Sequence, residues 1–283
     1  MTTQTTSTND NGKPSRIAFV GGGNMATAII GGLLQTGFSP DQITVADPSE
    51  TAMQNLRALN ITQVFKEGRA AIAGADMIVL AVKPQIMKAV ATTLKGAVEE
   101  GAIILSIAAG IPAQAYKDIF NDDVAIIRCM PNTPALVGHG ATGLYALPGV
   151  GDAQRAAADI VMRAVGITVW VDSETQLDAV TALSGSGPAY FFAFIEAMVK
   201  SGEKLGLDHD VSYRLGLKTA LGAAQLAQEK SIPIDVLRHN VTSPGGTTER
   251  ALQSFMNDGL DDIVDRAMRS CFDRAQELAK EHS

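Results

Sequence analysis

Cysteine is scarce: Cys129 and Cys271, far apart in sequence, are the two in 283 residues. Two thiols make no disulfide framework, so packing must hold the fold, and a reducing compartment, the cytoplasm, is expected. Histidine is nearly as rare. His139, His209, His239 and His282 share no ligand spacing with the cysteines, and no metal site is expected. Cations are outnumbered, 23 Lys and Arg against 30 Asp and Glu for a net charge of -7. That balance argues against nucleic acid as a partner, because phosphate-backbone affinity comes mainly from lysine and arginine. No apolar run reaches the roughly 18 residues of a membrane-spanning helix, so no membrane partner is expected. The opening "MTTQTTSTNDNGKPS" has one lysine and no apolar stretch. Residues 1–15 read as a disordered tail, neither a secretory signal nor a transit peptide.

What is present is aliphatic and helical. A hydrophobic content of 46% with 19% charged residues describes a soluble globular chain, and its length suits two domains, each with its own core. Eight short runs punctuate the first part: "RIAFVG" (16–21), "ITVAD" (43–47), "QVF" (63–65), "MIVLAV" (77–82), "AIILSIA" (102–108), "VAIIRCM" (124–130), "TGLYAL" (142–147) and "ITVWV" (167–171). Runs too apolar to alternate mark strands covered on both faces, hence a doubly wound, Rossmann-like α/β domain over residues 16–172. From residue 173 to 283 the strand signal stops and the pattern is all helix. "AYFFAFIEAMV" (189–199) and "LGLKTALGAAQLA" (215–227) are apolar on more than one face. About 110 residues cannot cover such helices alone, so a homodimer sharing this helical domain is expected.

The first strand runs into Gly21-Gly22-Gly23-Asn24-Met25-Ala26 and then a helix. This G-x-G-x-x-A loop places a glycine at the turn, a second under a pyrophosphate and a small residue where helix meets strand. Asp47 ends the second strand about twenty residues on, as a dinucleotide fingerprint expects. The loop lacks the GK[ST] ending of a nucleoside-triphosphate site, and "LSGSGPAY" is not a nucleophile elbow because Leu183 stands where its first glycine should be.

The segment "NVTSPGGTTERAL" (240–252) interrupts the helical pattern. Ser243 reads as a helix N-cap and Pro244 as the first helical residue. Gly245 and Gly246 would each cost about 1 kcal/mol in a helical turn. Close helix packing would account for them; so would a small carboxylate approaching bare N–H groups, with Thr247 and Thr248 adding hydroxyls. On the second reading Gly246→Ala obstructs the ligand while stability holds or rises.

"GGGNMA" (21–26), "AVKPQ" (81–85), "MPNTPA" (130–135), "SGSGPAY" (184–190) and "VTSPGGTTERAL" (241–252) together resemble the pyrroline-5-carboxylate reductase family, from about Arg16 to Arg274. The resemblance implies reduction of the C=N bond of Δ1-pyrroline-5-carboxylate to L-proline, the last step of proline biosynthesis, by NADPH or NADH. It implies a dimer or a ring of dimers. By position, Gly21, Gly23, Asn24, Met25 and Ala26 would hold the pyrophosphate. Ala81, Val82, Lys83 and Pro84 would line ribose and nicotinamide, Ala108 and Ala109 would approach the nicotinamide by backbone, and Asn240 would reach the coenzyme from the helical domain of the partner subunit. Ser243, Gly245, Gly246 and Thr247 would bind the substrate carboxylate, and Thr248 would face the ring nitrogen as the catalytic residue.

Asp47 and Ser49 fall near the adenosine ribose, where an acid suits NADH; the resemblance favours NADPH, with Ser49 or Arg57 offsetting the charge. Gly68 stands where relatives carry an asparagine. Two alternatives remain: a 3-hydroxyacid dehydrogenase using Lys200 or Lys204, and a dinucleotide sensor without turnover.

Overall fold

The computed structural model describes residues 12–120, 123–230 and 232–281. The tail expected over residues 1–15 thus lies largely outside the described residues. Its last part is held: Ser15 N and Arg16 N both donate to Asp76 Oδ2, at 2.7 and 2.8 Å.

The eight expected strands form one sheet: β1 (Ile17–Val20), β2 (Ile43–Ala46), β3 (Val64–Phe65), β4 (Met77–Leu80), β5 (Ile103–Ser106), β6 (Ala125–Met130), β7 (Gly140–Ala146) and β8 (Gly166–Trp170). Their order is β3-β2-β1-β4-β5-β6-β7-β8. Neighbours are parallel except β6 and β7, which are antiparallel. Parallel neighbours need crossovers, and these are α1 (Asn24–Gln35), α2 (Glu50–Ala58), α3 (Gly68–Ile72), α4 (Pro84–Leu94) and α5 (Ala113–Phe120), with α6 (Asp152–Arg163) joining β7 to β8.

The aliphatic runs divide their side chains between two cores. Ile17 and Phe19 of β1 enter a cluster with Ile29, Ile30 and Leu33 of α1 and Val161 of α6. Ala18 and Val20 turn to the opposite face, against Ile72, Met87, Leu94 and Tyr116. Burial on both faces explains why these strands do not alternate in polarity. Chain order reverses between β1 and β4, so the crevice beyond their carboxyl ends is where an open α/β sheet binds ligands.

The chain separates into two compact units: residues up to Ser186 together with those from Cys271 on, and Gly187–Ser270. The strand-to-helix switch near Asp172 precedes that division. The reason is packing: α7 (Glu174–Val180) and a π-helical turn (Thr181–Gly185) stay with the sheet. A Cβ on Gly143 of β7 would stand 2.7 Å from Val180 Cγ1, so strand and helix touch almost backbone to side chain.

The second unit holds α8 (Gly187–Lys204), α9 (His209–Lys230), α10 (Ile234–Asn240), α11 (Thr247–Asn257) and the first part of α12 (Leu260–Glu281). Gly202 of α8 lets Ser212 of α9 come close; a Cβ at Gly202 would lie 2.8 Å from Ser212 Oγ. Many apolar side chains here remain exposed in the single chain, including Phe191 and Phe192 at 68% and 67%, and Leu215, Leu217 and Leu221. Among the described residues no helix is long and apolar enough to cross a membrane.

Candidate functional site

The glycine loop sits at the carboxyl end of β1. Gly21 has φ +105°, and a Cβ there would lie 2.7 Å from the carbonyl carbon and oxygen of Ala81. Only glycine lets β1 turn so near the end of β4. Gly23, the N-cap of α1, has nothing within 4 Å of where its Cβ would be and caps the helix with no side chain. The first-turn amides of α1, on Asn24, Met25 and Ala26, have no intrahelical acceptor and lie at the positive end of the helix dipole, the arrangement that receives a pyrophosphate. Ala26 is buried against the sheet. The residues present fit a dinucleotide.

Asp47 turns inward. Its Oδ2 accepts from Gly22 N at 2.7 Å and its Oδ1 from Ser49 N at 2.8 Å. The carboxylate thus ties the glycine loop to the start of α2, where the Ser49 hydroxyl accepts from Ala52 N as N-cap. Arg57 offers Asp47 no offset; it is paired with Glu50 at 3.2 Å on the exposed side of α2. Beside the loop opens a cleft of about 450 Å³, lined among others by Gly21, Pro48, Lys66, Gly68, Arg69 and Val82. Lys66 and Arg69 carry charge into this cleft, and motif reading missed them because neither lies in a motif. The signal was a cation directly after the third strand.

At β4, Ala81 N donates to Val20 O at 2.8 Å, and Lys83 is an exposed N-cap followed by Pro84 at the first position of α4. After β5, Ala108 is buried and Ala109 half-buried. Ser106 Oγ accepts from Ala108 N at 3.3 Å and is hydrogen-bonded to Tyr116 Oη. Burial pushes the Tyr116 hydroxyl up to about 12, so it stays protonated and can only share its hydrogen bond with Ser106. Gly110, at φ +70°, admits Leu278 of α12; a Cβ on Gly110 would lie 2.9 Å from Leu278 Cβ.

Next to this loop lies a buried ion pair that motif reading also missed. Arg128 of β6, 4% exposed, donates through Nη1 to Glu174 Oε1, which also accepts from Ala113 N at 2.8 Å. Burial raises the Asp178 carboxyl nearby, while Arg128 pulls it back down. The "MPNTPA" and "SGSGPAY" motifs prove to be one device: Asn132 Nδ2 donates to Ser184 O at 3.0 Å and Asn132 Oδ1 accepts from Ala141 N at 2.9 Å. Gly185 is small because Met130 occupies the space, its Cε 2.6 Å from where a Cβ would stand.

In the second unit, the segment after α10 corrects the expected helix start. Ser243 is not the N-cap and Pro244 is not helical; α11 begins at Thr247 with Gly246 as N-cap. Gly245 has φ +72° and forms a turn rather than a helical residue. The N–H groups of Gly245 and Gly246, expected to meet a ligand, are engaged: Gly245 N donates to Glu249 Oε2 at 2.7 Å and Gly246 N to Ser243 O at 2.9 Å. The amides left at the helix start are those of Thr247, Thr248 and Glu249. Thr248 is half-buried and Asn240 is exposed at the end of α10.

The expected outcome for Gly246→Ala changes accordingly. Its Cβ would stand 2.9 Å from the Ser243 carbonyl oxygen, and alanine earns no helix propensity at an N-cap. Gly246→Ala should lower stability by about 1–3 kcal/mol; a melting temperature equal to or above wild type would contradict the turn described.

Lys200, considered as a dehydrogenase lysine, is exposed and bonded to Glu196 Oε1 at 2.6 Å; Lys204 is exposed near the end of the same helix. Neither is desolvated, as a catalytic lysine would be. No cluster of three metal-ligating side chains occurs among the described residues.

Comparison with known proteins places these features. The model of pyrroline-5-carboxylate reductase dimerisation matches residues 174–278, and that of NADP oxidoreductase, coenzyme F420-dependent, matches residues 16–110. The pyrroline-5-carboxylate reductase of Pseudomonas aeruginosa is 46% identical, covering 94% of this chain and 97% of that protein. A solved pyrroline-5-carboxylate reductase from Coxiella burnetii superposes with a TM-score of 0.90 at 39% identity, over 94% of this chain and 98% of that one. The Plasmodium falciparum pyrroline carboxylate reductase with NADP bound gives 0.81 at 26%, over 93% and 98%.

Proposed function

The chain belongs to the pyrroline-5-carboxylate reductase family, and on that premise we propose how its residues divide the work of reducing a cyclic imine. It is an oxidoreductase of proline biosynthesis, NAD(P)H-dependent, and it binds NADP(H). The observation that carries the assignment of the coenzyme site is Gly21, where a strained turn and a forbidden side chain coincide at the topological switch point. Gly23, Asn24, Met25 and Ala26 complete the pyrophosphate seat. Ala81, Val82, Lys83 and Pro84 line the ribose, and Ala108 and Ala109 present backbone to the nicotinamide. Asn240 contacts coenzyme from the helical domain of the partner subunit.

The substrate carries a carboxylate and an imine nitrogen. Its carboxylate is held by the amides of Thr247 and Thr248 at the positive end of α11. Gly245 and Gly246, with Ser243, shape the turn that leaves these donors uncovered. Bound coenzyme supplies the hydride. The protein's part is alignment and charge stabilisation, since a protonated imine is already electrophilic. The Thr248 hydroxyl orients the ring nitrogen and passes it a proton through water.

The exposed apolar helices and the matched dimerisation region support a homo-oligomer, a dimer or ring of dimers joined through the helical domain. The small, acidic, cysteine-poor chain works in the cytoplasm.

Oxidation of NADPH, followed by absorbance on adding Δ1-pyrroline-5-carboxylate, tests the activity; coenzyme binding without turnover would leave a sensor instead. Thr248→Val removes a hydroxyl at nearly constant volume and should cost about 1–3 kcal/mol in kcat/KM, with NADPH affinity and melting temperature near wild type. Full turnover in that variant would remove Thr248 from the chemistry.

A further inference from the structure

The charge distribution around the cleft beside β2 points to coenzyme selectivity at residues outside the dinucleotide fingerprint: we propose that Lys66 and Arg69 clamp the 2′-phosphate of NADPH. The inference rests on the reading that the pyrophosphate lies on the Gly21–Ala26 loop.

An acid at the end of β2 ordinarily accepts hydrogen bonds from the ribose hydroxyls and so favours NADH. Asp47 stands there, yet both its oxygens already accept backbone N–H groups, from Gly22 at 2.7 Å and Ser49 at 2.8 Å. Each oxygen keeps a second lone pair, but the two bonds hold the carboxylate turned toward the glycine loop and the start of α2. The residue that should select NADH is thus an internal brace.

Two cations stand beside it. Lys66 follows β3, which pairs with β2 so that Phe65 lies opposite Ala46, and among the described residues no carboxylate pairs with the lysine. Pro48, the residue after Asp47, lines the same cleft as Lys66 and Arg69. Arg69 is anchored: its Nη1 donates to Thr93 O at 3.2 Å and Lys95 O at 3.4 Å, which fixes the guanidinium over the end of α4. A guanidinium has five N–H donors, so these contacts leave others for phosphate oxygens. Glu67 also lines the cleft and opposes an anion. It is exposed and outnumbered, so the two cations prevail. Gly68, between them, packs its backbone against α4; a Cβ there would lie 2.8 Å from Leu94 Cδ2.

The test compares dissociation constants for NADPH and NADH, by coenzyme fluorescence, in wild type, Lys66→Met, Arg69→Met and the double variant, and for 2′,5′-ADP and 5′-AMP by calorimetry. Wild type should bind NADPH and 2′,5′-ADP more tightly than NADH and 5′-AMP. Each single change should weaken NADPH roughly tenfold or more, as loss of a charge-assisted contact does, with NADH within about twofold. Retained NADH binding shows that the variants fold. Lys66→Met, at an exposed side chain, carries the test where Arg69→Met perturbs α4. An unchanged NADPH-to-NADH ratio in the double variant, or a wild type preferring NADH, overturns the clamp. Failure of wild type to bind either coenzyme overturns instead the reading of the glycine loop.

Discussion

Gly21→Ala should be a strongly damaging single-methyl change at the coenzyme loop. The added carbon would stand 2.7 Å from a backbone carbonyl that cannot swing away, and φ +105° is a conformation alanine avoids. Strain and overpacking each contribute about 1–3 kcal/mol, so a combined loss of roughly 2–5 kcal/mol is expected. Because the displaced neighbour is Ala81, the damage should spread to both walls of the crevice. NADPH affinity should fall with melting temperature. Gly23→Ala provides the contrast: its Cβ meets nothing, so stability should hold while coenzyme binding weakens. Equal melting temperatures for wild type and Gly21→Ala would refute the close approach of β1 to β4.

The second large effect is expected at Arg128→Met. The arginine side chain is 5% exposed and its Nη1 holds a Glu174 oxygen that is itself the acceptor for Ala113 N. Removing one partner of a buried pair strands the other charge, at a cost of about 3–5 kcal/mol; Glu174 is 35% exposed, which places the expected loss at the lower end of that range. Glu174→Gln keeps an acceptor for Ala113 but leaves the more deeply buried Arg128 charge without its carboxylate, and should cost at least as much. The double variant Arg128→Met with Glu174→Gln should recover part of the loss, since no charge is left alone. Thermal melting of the four proteins measures this coupling; strictly additive losses would mean that the two residues do not act as a pair.

Much of the fold is legible in the sequence because burial on both faces leaves a plain trace. "RIAFVG" and "MIVLAV" can be little else than strands under crossover helices. The order in which those strands lie is not written in any run, and with it goes the meaning of Lys66 and Arg69: a cation after β3 is an ordinary surface residue until β3 is laid beside β2. Arg128 is a different case. A lone arginine inside "AIIRCM" announces a buried partner, but nothing local names Glu174, which is brought near by α7. Asp47 is legible as the end of the second strand, but only hydrogen-bond geometry decides between bracing a loop and reading a ribose. The Ser243–Gly246 turn was misread as helix since Ser-Pro is a strong start signal; Gly245, at φ +72°, delays the helix until Thr247.

The contact of Leu278 with Gly110 bears on how the protein is made. Residues 16–170 leave the ribosome early and hold every strand of the sheet, so that domain can begin to condense during synthesis. The turn after β5, though, is finished by a side chain translated long afterwards, when α12 is nearly complete. A nascent chain halted before Leu278 would own the whole sheet and yet carry an unsupported Ile107–Gly110 loop. The turn at the carboxyl end of β5 thus reaches its final packing only with α12, late in translation.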